Sequence, residues 1–153
     1  MKHKSKSFFF TVLLICTYFS LVHSQSKVEQ NQIKVITDFY SAINAVCTDN
    51  HKNQHIAKLR SDSVIAKYCS RKIWQEAMQW LNKKNNNVSD LLHIDSESLK
   101  TLTVKTDTIS PNTFHVSYSY NKSTLQDEIE KQKVNLIVTL KKEGKVFKID
   151  DVR

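Results

Sequence analysis

The chain changes its hydrophobic period once, and that switch constrains its fold more than any other feature. From Val28 to Cys47, the residues Ile36, Phe39, Tyr40, Ile43 and Cys47 follow i, i+3, i+4, i+7 spacing, with Ile33 one turn earlier. This is an amphipathic helix, and it must bury one face because propensity alone rarely holds a helix in water. Thr48 to Gln54 is polar and reads as a loop. The pattern then predicts a short helix from His55 to Arg60 and a helical stretch from Val64 to Cys69. Ser70 stands as N-cap to a helix from Arg71 to Asn82, whose buried stripe is Ile73, Trp74, Ala77, Met78 and Leu81. After Asp95 the period falls to two. Leu102 with Val104, Phe114 to Tyr120, Val134 to Leu140, and Phe147 with Ile149 all alternate with polar neighbours. Helices first and an antiparallel, one-sided sheet second describe an α+β fold.

The one proline sits in Ser110-Pro111-Asn112 and the one glycine in Glu143-Gly144. Each marks a turn, the first between the first two strands and the second between the last two. For the last hairpin, burial favours Lys142 opposite Lys145, so that Leu140 faces Phe147 and Val138 faces Ile149. A one-residue shift would expose Phe147 and Ile149 together.

A single glycine in 153 residues also removes whole classes of chemistry. Phosphate-cradling loops, dinucleotide fingerprints and Gly-flanked nucleophile elbows all need dihedrals or close approaches that only glycine permits. No cofactor is expected. No cysteine or histidine cluster has structural-zinc spacing, and His51 with His55 supplies only two ligands, so no metal site is expected either.

The first 24 residues read as an export signal. Lys2, His3, Lys4 and Lys6 give a positive start, Phe8 to Phe19 an apolar run, and Val22-His23-Ser24 a small residue before a cut at Gln25. The run is shorter than the ~20 residues that span a bilayer. Segments 1–24 as signal peptide and 25–153 as a single α+β domain are the expected organisation, with the protein periplasmic or secreted and no stable membrane span after processing. Cleavage would leave a net charge of +5. Lysine outnumbers arginine 20 to 3 and is scattered, which argues against nucleic acid as a partner. Cys47 and Cys69 remain after cleavage. Both lie on apolar stripes, where a thiol packs as a small hydrophobe, and both would be in an oxidising compartment, where they could pair as a disulfide.

Gly144-Lys145-Val146-Phe147-Lys148-Ile149-Asp150-Asp151-Val152 resembles the closing strand of a family of small exported bacterial proteins of unknown function. The likeness extends to the opening helix with Phe39-Tyr40, the Ser70-led helix, the acidic connector Asp90 to Asp95 and the four strands. That family looks like a branch of the nuclear-transport-factor-2-like, or cystatin-like, superfold. The resemblance implies N-terminal helices packed on a curved, mainly antiparallel four-stranded sheet, a cone-shaped roll. It carries no catalytic motif.

Two constellations are candidates for a site. Asp90, His93 and Asp95 lie between helices and sheet, where the resemblance places the rim of the cone. There an imidazole beside a carboxylate could serve as a base, or the acids could simply cap the connector. Tyr40, Trp74, Tyr118 and Tyr120 are candidates to line a pocket between helix and sheet, or to fill it, close packing being the default. The leading expectation is a non-enzymatic binding module that engages a small molecule or an envelope protein. The alternatives are a small isomerase- or hydratase-like enzyme, and an inhibitor or immunity-type protein acting by surface contact.

Overall fold

The computed structural model describes residues 27–48, 54–84, 96–123 and 129–153. The chain divides into two units, residues 1–31 and 32–153; in the first, the described part is the helical stretch 27–31. The expected signal segment 1–24 lies outside the described residues. Among those described, no helix is long and apolar enough to cross a membrane.

Helix α1 spans residues 27–48. Its predicted stripe is the buried one, with Ile36, Phe39, Tyr40 and Ile43 in the core and Ile33 and Cys47 packed against it. Lys34 and Asp38 pair across one turn of the solvent face, at 2.7 Å. Helix α2 (Gln54–Tyr68) is one continuous element where the pattern predicts two pieces. Ser61-Asp62-Ser63 are weak helix formers, but no proline or glycine breaks the run and buried Ile65 anchors it. Ser70 caps helix α3 (Arg71–Lys84) as expected: its hydroxyl accepts the Ile73 N–H at 3.5 Å and its carbonyl the Trp74 N–H at 2.9 Å. Ala77 is buried, with Ile73 and Met78 beside the core. Trp74 departs from the expected stripe. It sits at the rim of that face, 37% exposed, and does not enter the helix–sheet interior. A fourth helix, α4 (Ser96–Thr101), is one the alternating pattern gave no sign of.

Strands β1 (Thr103–Thr106), β2 (Thr113–Ser123), β3 (Ile129–Glu143) and β4 (Val146–Val152) form an antiparallel sheet in the order β1-β2-β3-β4. The fold is α+β, helices followed by a curved, unclosed sheet. Even-numbered residues of β2 and β3 face the helices: Phe114, Val116, Tyr118, Val138 and Leu140 are buried, joined from β4 by Ile149. Tyr40 meets Tyr118 at 5.6 Å between ring centroids, Phe39 meets Tyr40 at 5.4 Å, and Phe39 reaches Tyr68 at 6.2 Å. Where these rings meet, aromatic side chains in contact occupy the space between helix and sheet.

The β1–β2 turn follows its residues. Pro111 takes the first central position and Asn112, at φ 61°, the second, closed by Thr113 N–H donating to Ser110 O at 3.3 Å. The Asn112 side-chain oxygen accepts a bond from the Gln32 amide of α1, and its backbone carbonyl accepts the Leu140 N–H at 2.8 Å. The β3–β4 hairpin differs from the predicted register by two residues. Glu143 pairs with Val146 and Leu140 with Ile149, where the sequence reading set Leu140 against Phe147. Gly144, at φ 62°, takes the first position of a two-residue loop, as a type II′ turn requires. A two-residue slip keeps every side chain on its face, which is why burial could not distinguish the two. Past Leu140 the ladder shifts at a bulge, so Val138 pairs with Val152 instead of Ile149.

The outer edge of β4 is covered. Cys69 forms a parallel bridge with Ile149, and Ser70 N–H donates to the Ile149 carbonyl at 2.7 Å. Lys148 donates to the Ala66 carbonyl at 3.0 Å and to that of Lys67, capping the negative end of α2. Cys47 and Cys69 carry thiols, so the Cys47–Cys69 bridge considered from sequence is not formed in the structure. Cys69 is buried in the core cluster and Cys47 packs against it.

Candidate functional site

The alternation that buries one face of the sheet leaves the other, among the described residues, without a helix on it. On that open face lies a groove of about 680 Å³, built mainly by odd-numbered residues of β1, β2 and β3 with Thr101 and Arg153, and reached also by Val116, Tyr118 and Leu136. Strand register arranges them in three rows. Lys105, His115, Ile137 and Arg153 form the first, with Arg153 joined to Ile137 by backbone bonds of 2.8 and 3.0 Å beyond the end of β4. Thr103, Ser117 and Asn135 form the second. Thr101, Ser119 and Lys133 form the third.

Thr101 explains how the groove is closed at one end. By register it stands opposite Ser119, yet its backbone belongs to α4 and cannot extend β1. Its hydroxyl substitutes for the missing strand. Thr101 Oγ1 accepts the Ser119 N–H at 2.8 Å and lies 3.3 Å from the Ser119 carbonyl. In the middle row, the hydroxyls of Thr103 and Ser117 bond each other at 2.7 Å, a cross-strand pair typical of a solvated sheet face.

At the other end, Asp107 organises the turn that follows β1. One carboxylate oxygen accepts the N–H groups of Ile109 (2.7 Å) and Ser110 (3.0 Å), and the second stands 3.2 Å from Nε2 of His115. The two backbone donors, Ser110 first, hold the Asp107 carboxyl below its ordinary range, with the His115 contact adding to them. Because the carboxylate only accepts, it fixes the proton on Nε2 and leaves Nδ1 of the neutral ring as an acceptor. His115 is 56% exposed, so the imidazole works in water and not in a dry pocket. Asp151 is likewise engaged, with Arg153 Nε at 2.6 Å and Lys72 Nζ at 3.8 Å. The groove therefore presents cations, hydroxyls and an amide, and among the described residues no Asp or Glu side chain lines it.

Asp90, His93 and Asp95 lie outside the described residues, as do His51 and the side chains of His55 and Leu81. Tyr40 and Tyr118 face each other within the core; burial pushes the Tyr118 hydroxyl up to about 12 and that of Tyr40 further in the same direction, so both stay protonated. Tyr120 points its hydroxyl at Gln132 Oε1, 2.7 Å away on β3. Among the described residues no group of three or more His, Cys, Asp or Glu side chains is placed to hold a metal ion. The sequence reading missed the open face. Its signal was the polar half of the β2 alternation, His115, Ser117 and Ser119, but only register brings these beside Lys105, Asn135 and Lys133.

No protein-family model matches the chain, and no curated protein does. A crystal structure of a protein of unknown function from Bacteroides thetaiotaomicron is similar to it, with a TM-score of 0.67 and 21% identity over 89% of this chain and 98% of that one. At that identity the likeness concerns the fold alone.

Proposed function

We propose that this chain is an exported, non-enzymatic binding module of the nuclear-transport-factor-2-like kind, and that it engages a small molecule on the open face of its sheet. The groove itself carries the reading. Its volume falls within the ~300–1,000 Å³ of small-molecule sites, and its polar groups converge from three strands of one rigid sheet. The interior, by contrast, is where Tyr40 and Tyr118 are in ring contact.

A thermal-shift screen against a metabolite library tests it, since a ligand that binds only the native state raises the melting temperature. Ser117→Tyr places a ring in the middle row without touching the core, and it should abolish the shift that the wild type shows. Tyr40→Phe alters the helix–sheet interior, away from the groove lining, and should leave that shift intact. The opposite outcome, loss with Tyr40→Phe and retention with Ser117→Tyr, would return the site to the helix–sheet interior. Export rests on the ordered charged, apolar and small-residue segments of residues 1–24. Intact mass of the exported form should place its first residue near Gln25, and a retained Met1 in that fraction would overturn export by cleavage.

A further inference from the structure

We infer that the ligand of the open face is an extended small dianion, with a carboxylate or phosphate at each end and hydrogen-bonding groups between them. This rests on the open face being the binding site. Charge complementarity selects the class: Lys105, Lys133 and Arg153 line the groove, and among the described residues no Asp or Glu side chain does. Among the described residues, Lys105 and Lys133 have no ion-pair partner, whereas Asp107 is engaged by its turn and His115, and Asp151 by Arg153 and Lys72.

Register sets the length. Lys105 lies on β1 in the first row and Lys133 on β3 in the third, two strands and four residues apart. At ~4.8 Å between strands and ~3.4 Å per residue, their Cα atoms are diagonal corners about 17 Å apart. Both lysines are exposed and carry long, flexible arms, so each can take one end of a ligand lying across the middle row. There Thr103, Ser117 and Asn135 offer two hydroxyls and an amide, which match a polar and not an aliphatic midsection. His115 and Ile137, the latter 42% exposed, give the first row a partly apolar floor.

Calorimetric titration of the full chain at low salt tests this with defined probes. Galactarate carries a carboxylate at each end of a hydroxylated chain and fructose 1,6-bisphosphate a phosphate at each end; adipate lacks the hydroxyls, galactonate has one charge and galactitol none. Galactarate or the bisphosphate should bind more tightly than galactonate, adipate and galactitol, and whichever of the two binds better identifies the terminal group. Lys133→Glu and Lys105→Glu should each weaken that binding about tenfold or more, while Lys67→Glu, the same charge change on α2, should not. Equal weakening by Lys67→Glu would reduce the effect to diffuse charge and overturn the inference. Galactitol binding as well as galactarate, still blocked by Ser117→Tyr, would overturn the dianion while leaving the groove as the site. Binding of these probes unaffected by Ser117→Tyr would overturn both.

Discussion

Asn112 ties three parts of the structure together from an exposed turn. Its positive φ shapes the β1–β2 connection, its side chain takes the amide of Gln32, a buried residue of α1, and its carbonyl takes the N–H of Leu140. Glycine at this position would keep the backbone and lose the side-chain acceptor; alanine would lose both. Asn112→Ala should therefore destabilise the fold by about 1 kcal/mol more than Asn112→Gly in urea unfolding, the left-handed conformation being the difference. Cys69 makes a second residue-level prediction. Burial pushes its thiol from an ordinary 9.0 up to about 12. The unfolded chain releases that proton near 9.0 and the native state holds it, so this contribution is whole below pH 9.0 and is lost as pH rises through about 12. Stability should fall above pH 9 with a slope from this group of up to about 1.4 kcal/mol per pH unit. Cys69→Ala should flatten the curve between pH 9 and 10, below the range where Tyr40 and Tyr118 begin to contribute.

At the level of elements, local chemistry places the ends and long-range contacts decide the partners. Ser70 was legible as a cap because serine before a helical stripe satisfies otherwise unpaired N–H groups, and the bond to Ile73 is present, if long at 3.5 Å. Ser70→Ala should cost about 0.5–1 kcal/mol, measured by chemical denaturation, while the Ser70 N–H bond to Ile149 survives because it comes from the backbone. The last hairpin turns on Gly144. A Cβ added there meets nothing within 4 Å, so Gly144→Ala is a test of backbone conformation alone. It should cost about 1–2 kcal/mol through φ 62°, with no repacking of Leu140 or Ile149. A larger loss accompanied by changed amide protection on β4 would show that the turn also holds the register.

On the scale of the whole sheet, one face is buried under helices and the other, among the described residues, carries none. Among the described residues Phe114 is the largest fully buried side chain, enclosed within the covered face. Phe114→Ala should cost about 3–5 kcal/mol, a large share of the 5–15 kcal/mol that typical domains possess, and lower the melting temperature by more than about 10 °C. Changes on the open face, such as Ser117→Tyr or Lys133→Glu, should move stability by no more than about 0.5 kcal/mol. That asymmetry lets the open face be altered without unfolding the protein.

Periodicity by itself determined the α+β class, the core stripe of α1, the inward faces of all four strands, and the two turns at Pro111-Asn112 and Gly144. Each follows from the geometry of a residue and its near neighbours, which the chain order already contains. Tertiary structure alone decided the rest. A period of two says which face a residue is on but not which residue it meets, so the β3–β4 register, the bulge past Leu140 and the pairing of Asp107 with His115 needed the assembled sheet. The helical stripe of α3 did not reveal that the core ends short of Trp74, because burial depends on what another element brings to cover it. The groove is the extreme case. Lys105, His115, Ser117, Asn135 and Lys133 are unremarkable polar positions on three separate strands, and they line one groove only when hydrogen bonding between strands sets them in rows.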